Sequence, residues 1–230
     1  MARVWIARIA DADATQETAP PWLGPAERER WATLAPARQP GFVASRRLLR
    51  DALAQATGVA AGHWRVSAEA GVVPKASRVD DDAARVPAVS IAHRLGWVAV
   101  AVGGPDDDAV GVDLECERPT RSDPARRAAL VMAGDELARW AALPAHEREP
   151  ALLRAWVARE AWFKAGGAGT PWDFRRMACE PADAARANVR TWEAGALRVA
   201  LCAPEPAAAA CEGWPDAGGV ASALWRVARR

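Results

Sequence analysis

The chain has 230 residues, enough for one large domain or two small ones with a real core. With 51% apolar residues, 26% charged residues and a formal net charge of +1, it reads as a soluble globular protein without a bulk field for nucleic acid or a membrane surface. The apolar run from Gly96 to Gly104 is too short to span a bilayer and the N-terminus lacks the apolar segment of a signal peptide, so we expect a cytoplasmic protein. Its cysteines (Cys116, Cys179, Cys202 and Cys211) form no C-x-x-C pair and no zinc spacing, and are expected to be reduced thiols.

Val4, Ile6 and Ile9 alternate with polar neighbours and predict a strand over residues 3–9. A proline-rich loop follows, and Pro25 opens a short helix with acids in its first turn. A firmer helix is predicted from Gly41 to Thr57, with Phe42, Ala44, Leu48, Leu49, Ala52 and Leu53 as the buried stripe. Gly58 stops it, and Arg46, Arg47 and Arg50 form its exposed basic set. A short strand over 62–67 and a turn over 71–75 precede a polar loop over 77–87, whose Asp80-Asp81-Asp82 reads as a solvated tip. Two strands, 89–93 and 97–102, flank a turn at 94–96, and the second is nearly all apolar and therefore buried. Residues 103–108 combine glycine, proline and three aspartates, the clearest internal boundary, dividing 1–104 from 105–230.

Beyond the boundary, Ala109 to Glu115 reads as a strand on which Asp113 and Glu115 share a face while Leu114 takes the other. Two adjacent carboxylates are either a solvated strand end or a cation site, for which Mg²⁺ is the usual occupant. Helices are expected near 123–133 and 134–142, then a longer one through Leu152, Leu153, Trp156 and Val157, stopped by Gly166-Gly167. Glu160 and Lys164 extend its apolar face. A carboxylate there needs a cation, and Lys164 one turn on is the simple partner. Late strands are placed at 189–192, 197–201 and 221–227, with 204–210 as a loop.

Two motifs then stand in order: Gly111-Val112-Asp113-Leu114-Glu115, and some forty residues on Trp156-x-x-Arg159-Glu160-Ala161-x-x-Lys164-x-x-Gly167. Together they resemble the 4′-phosphopantetheinyl transferases of the larger, two-lobed, Sfp-like type, over about residues 41–174. The resemblance implies an α+β fold of two similar lobes, 1–104 and 105–230, arranged as a pseudo-dimer with the active site at the seam. It implies transfer of the 4′-phosphopantetheine arm of coenzyme A to a serine of an apo acyl or peptidyl carrier protein, releasing adenosine 3′,5′-bisphosphate, with Mg²⁺ or Mn²⁺. Asp113, Glu115 and Glu160 would be the metal ligands. Glu160 would also accept the serine proton, directly or through a water, and Lys164 would balance charge on the leaving group. Arg46 and Arg50, from Ser45-Arg46-Arg47-Leu48-Leu49-Arg50, would border the coenzyme. His93 holds the place of the histidine in the family's Ser-His-Ser, at the coenzyme's 3′-phosphate. Here the triplet is Ala92-His93-Arg94, which loses two hydroxyls and gains an arginine, itself a phosphate ligand. Arg159 replaces the family's usual lysine, keeping the charge without a titratable ammonium. The carrier's acidic helix would meet Arg126 and Arg127. A monomer with no nucleic-acid or membrane partner is expected. Two other readings stay open: a divalent-metal phosphodiesterase, which the near-neutral charge disfavours, and a non-catalytic relative that binds coenzyme A or a carrier protein, which the altered triplet favours.

Overall fold

In the computed structural model, which describes residues 1–9, 18–81, 83–117, 123–166, 173–215 and 219–230, helices stand on largely antiparallel sheets, an α+β fold. The first half supplies β1 (Arg3–Arg8), α1 (Pro25–Ala32), α2 (Gln39–Thr57), β2 (Trp64–Val66), β3 (Ala76–Arg78), β4 (Val89–Arg94) and β5 (Trp97–Val102). The second supplies β6 (Gly111–Cys116), α3 (Pro124–Val131), α4 (Asp135–Ala142), α5 (Ala145–Lys164), β7 (Met177–Pro181), β8 (Val189–Ala194), β9 (Leu197–Cys202), β10 (Ala210–Glu212) and β11 (Ala221–Arg229). One sheet runs β10-β1-β5-β4, a second β6-β9-β8-β11-β7, and β2 pairs with β3.

Alternation along the strands sorts side chains between helix and partner sheet. On β1, Trp5 joins a core with Leu49 and Leu53 of α2, while Val4 and Ile6 point the other way. On β9, Ala200 and Cys202 meet the core beneath α5, while Leu197, Val199 and Leu201 join Val4 and Ile6. The two sheets thus share one core on the faces turned away from their long helices. Their edges also meet. β4 and β6 run side by side in the same direction, with the Val112 amide donating to Ser90 Oγ at 3.0 Å and Arg94 reaching Glu115.

Local chemistry sets the connections that matter for the site. The β4–β5 hairpin turns on Leu95 and Gly96, both with positive φ (47° and 81°), the left-handed pair whose twist matches the flanking strands. Gly58, at φ 75°, ends α2 with its amide on the Ala54 carbonyl at 2.9 Å. Helix α5 begins earlier than the apolar period indicates and runs through Pro150, which gives up one backbone donor in the second turn. The Gly167 of the expected stop and Asp82 of the acidic tip lie outside the described residues. Of that tip, Asp80 is exposed and held by Arg78 and His63.

Three expectations are corrected. The basic set on α2 is not exposed as a group: Arg46 and Arg50 are buried, and of the three only Arg47 is exposed. Both buried guanidiniums converge on Glu27 of α1, itself buried, and Arg50 also donates to the Trp64 and Arg46 carbonyls. Buried charge requires such pairing, and no periodicity argument could find a partner on another helix. The loop over 77–87 begins as β3, paired with β2 through Trp64–Arg78. The loop over 204–210 ends in β10, which pairs in parallel with β1 and so places a strand of the second half in the sheet of the first. No helix among the described residues is long and apolar enough to cross a membrane.

Candidate active site

Where β4 meets β6, the ends of α2 and α5 border a cleft of about 450 Å³. Its floor is Asp113 and Lys164, and its walls include His93, Phe42, Ser45, Arg46 and Arg38. A second cleft of about 520 Å³, with largely apolar walls (Val73, Val86, Val89, Val110), opens on the other side of Lys164.

Gly111 makes this floor possible. A Cβ at that position would lie 1.9 Å from the Ala161 carbonyl oxygen and 2.6 Å from the Ala165 amide, so strand β6 can lie directly on α5 only with glycine there. Two residues along the strand, Asp113 is thereby brought to Lys164 of α5, whose Nζ donates to Oδ1 at 2.7 Å. This corrects the simplest expectation for Lys164, since its partner is Asp113 across the seam rather than Glu160 on its own helix. Glu115 lies on the same face of β6 and accepts from Arg94 Nε at 3.0 Å. Glu160, one turn before Lys164 on α5, makes no side-chain hydrogen bond among the described residues.

The three carboxyls are crowded. Burial raises the affinity of Asp113 and of Glu115 for a proton, against the pull of Lys164 on the first and Arg94 on the second. Glu160 is pushed up to about 7 by burial and then by the charges of Asp113 and Glu115, with Lys164 opposing. An all-oxygen, hard donor set with excess negative charge fits Mg²⁺ or Mn²⁺. Among the described residues, no three acidic, histidine or cysteine side chains already stand as a metal cage. Asp113 and Glu115 are instead held by the protein's own cations.

The sign of this repulsion gives a stability prediction. The pKa of Glu160 is raised by folding, so its contribution favours the fold below its ordinary value of 4.5 and is lost as pH rises towards about 7. Metal-free Glu160→Gln should therefore melt above the parent at about pH 8, by roughly 2–4 °C for each ~1 kcal/mol of repulsion relieved. The gap should close towards about pH 5. Calorimetric melts of chelator-treated protein across this range check it, and a gap independent of pH would contradict the crowding.

His93, on β4, packs its ring against Gly41 of α2, with Cδ2 3.4 Å from the position a Cβ would take there. Burial, then the charges of Lys164, Arg38, Arg46 and Arg94, hold its imidazole below its ordinary value, so it is neutral at physiological pH. Arg46 Nη2 donates to the Ser67 carbonyl at 3.1 Å, its guanidinium lies over the Phe42 ring at 4.7 Å, and burial lowers its pKa to about 10. Its Nε faces Glu27 at 3.4 Å without hydrogen-bond geometry.

Residues 109–212, carrying both motifs and ending in β10, match the family model of the 4′-phosphopantetheinyl transferase superfamily. Over that stretch, a little under half of its length, the chain is similar to this superfamily. No curated protein matches it.

Of the residues singled out from sequence, Asp113, Glu115, Glu160, Lys164, His93 and Arg94 meet at the β4–β6–α5 junction, and Arg46 lines the same cleft. Arg50 does not line it and is committed to Glu27. Arg159 faces away: it is wholly buried, and its Nη2 donates to both Glu136 oxygens at 2.8 and 2.6 Å, fastening α5 to α4. Sequence reasoning missed Arg38, an exposed cation lining the cleft without an ion pair among the described residues. Its signal was present, since residues 38, 42, 45 and 46 recur at helical spacing and all face the cleft.

Proposed function

We propose that this protein is a transferase that moves the 4′-phosphopantetheine arm of coenzyme A onto a serine of an apo acyl or peptidyl carrier protein, as an enzyme of the two-lobed Sfp-like type. The observation that carries the reading is the junction of three crowded carboxyls and Lys164 at the foot of a cation-lined cleft. On this reading a site for a divalent ion stands beside one for phosphates. Asp113, Glu115 and Glu160 would hold Mg²⁺ or Mn²⁺, which when bound supplies charge neutralisation at the pyrophosphate.

The chain's own residues account for the rest. Displacement at the β-phosphorus forms a bond from the serine Oγ and breaks the bond to the bridging oxygen, releasing adenosine 3′,5′-bisphosphate. Such transfers need positioning and neutralisation more than covalent chemistry. Glu160, with its pKa near neutrality and no hydrogen bond of its own, is suited to take the serine proton. Lys164 Nζ stands at the floor between the clefts and can turn from Asp113 to the leaving oxygen. Arg38, Arg46 and neutral His93 line the side where the coenzyme's nucleotide phosphates would lie. Of the suggested carrier contacts, Arg127 is spent on Glu149, at 2.7 Å from each oxygen, whereas Arg126 is exposed. Docking through this face would therefore rest on Arg126.

The placement of the 3′-phosphate is tested by comparing coenzyme A with dephospho-coenzyme A. A charge-assisted contact to phosphate contributes roughly ten- to a hundredfold in affinity. His93→Ala should lose that factor for coenzyme A and almost none for the dephospho form, measured by titration calorimetry. Equal losses for both would make His93 a packing residue against Gly41.

A further inference from the structure

Both strand carboxylates already carry a cation of the protein: Lys164 Nζ on Asp113 at 2.7 Å, and Arg94 Nε on Glu115 at 3.0 Å. The two pairs differ in kind. Lys164 is the last residue of α5 and has 25% of its side chain exposed. Arg94 sits next to the hairpin turn at Leu95 and has 42% exposed, while the Glu115 carboxylate beneath it has only 15%. A half-exposed guanidinium thus covers a mostly buried carboxylate, and it can swing into solvent or towards an anion in the neighbouring cleft without disturbing the strand.

A guanidinium hydrogen and a divalent ion compete for the same lone pairs of a carboxylate oxygen. Resting on the reading above, in which Glu115 is one of three ligands, we propose that Arg94 competes with the divalent cation for Glu115. The free protein therefore holds its ion less tightly than its three carboxyls would otherwise allow. Arg94 is then a positioning residue that sets metal affinity, and the ion gains Glu115 as the guanidinium leaves it. The triplet Ala92-His93-Arg94 acquires a consequence at the metal that a serine at position 94, too short to cover Glu115 as a cation, would not have.

The test is a double-mutant cycle on Mn²⁺ binding to the purified, chelator-treated full chain, read from the electron paramagnetic resonance signal of free Mn²⁺ without coenzyme. Arg94→Ser should tighten Mn²⁺ by about tenfold, the scale of one charge-assisted contact. In a Glu115→Gln background the same substitution should change affinity less than about twofold, because the contested oxygen is gone. Equal tightening in both backgrounds would reduce Arg94 to a general field effect and overturn the proposal, as would no tightening in either. Asp113→Asn and Glu160→Gln separate this from the underlying reading. If both bind Mn²⁺ as the parent does, the metal site itself is wrong. If both lose binding while Arg94→Ser changes nothing, only the competition fails.

Discussion

Asp113→Ala and Glu160→Ala should each lower the rate of transfer to an apo carrier protein by about a hundredfold or more, with the fold intact. The size follows from their place. Asp113 is 8% exposed, tied to Lys164 on the floor of the cleft, and its charge adds to that of the neighbouring Glu160 where a pyrophosphate must be brought. Glu160 is also the group suited to take the serine proton, so its loss removes two contributions. The variants should differ in stability. Glu160→Ala relieves repulsion, whereas Asp113→Ala leaves the Lys164 ammonium without its hydrogen-bonded partner. Turnover within a few-fold of the parent in either, with melting and circular dichroism showing a folded protein, would remove these acids from the chemistry.

Gly111→Ala should destabilise by about 3 kcal/mol or more, which for a chain of this length is a fall in melting temperature on the order of 10 °C. The added methyl would meet the Ala161 carbonyl oxygen at 1.9 Å and the Ala165 amide at 2.6 Å, both backbone atoms that cannot rotate away. Either β6 or the last turn of α5 must shift, and each carries two residues of the candidate site. The shift should separate Asp113 from Lys164, so activity should fall below what the remaining folded fraction explains. Unchanged stability would show that β6 and α5 do not pack as described.

The parts of the site legible in the sequence are those whose cause is local. Alternation alone placed Asp113 and Glu115 on one face of a strand, and helical spacing placed Glu160 and Lys164 one turn apart on α5. The long helices and most strands were legible for the same reason. What stayed hidden depends on partners distant in the chain. Arg50 looks like a solvent-facing residue until Glu27, 23 residues earlier, is folded against it. Arg94 looks like a turn residue until Glu115 is brought beside it. β10 is three residues without alternation, and only the open edge of β1 makes it a strand. Gly111 was read within a motif, but the reason for a glycine there is the backbone of Ala161, fifty residues on.

The most direct test of the proposed transfer is the intact mass of an apo carrier protein after incubation with this protein, coenzyme A and Mg²⁺. The account predicts a gain of one phosphopantetheine on a single serine, matched mole for mole by adenosine 3′,5′-bisphosphate, abolished by chelator and slowed by about a hundredfold or more by Asp113→Ala. A panel of fatty-acid, polyketide and peptide carriers that all keep their apo mass, while the protein demonstrably binds coenzyme A, would contradict it.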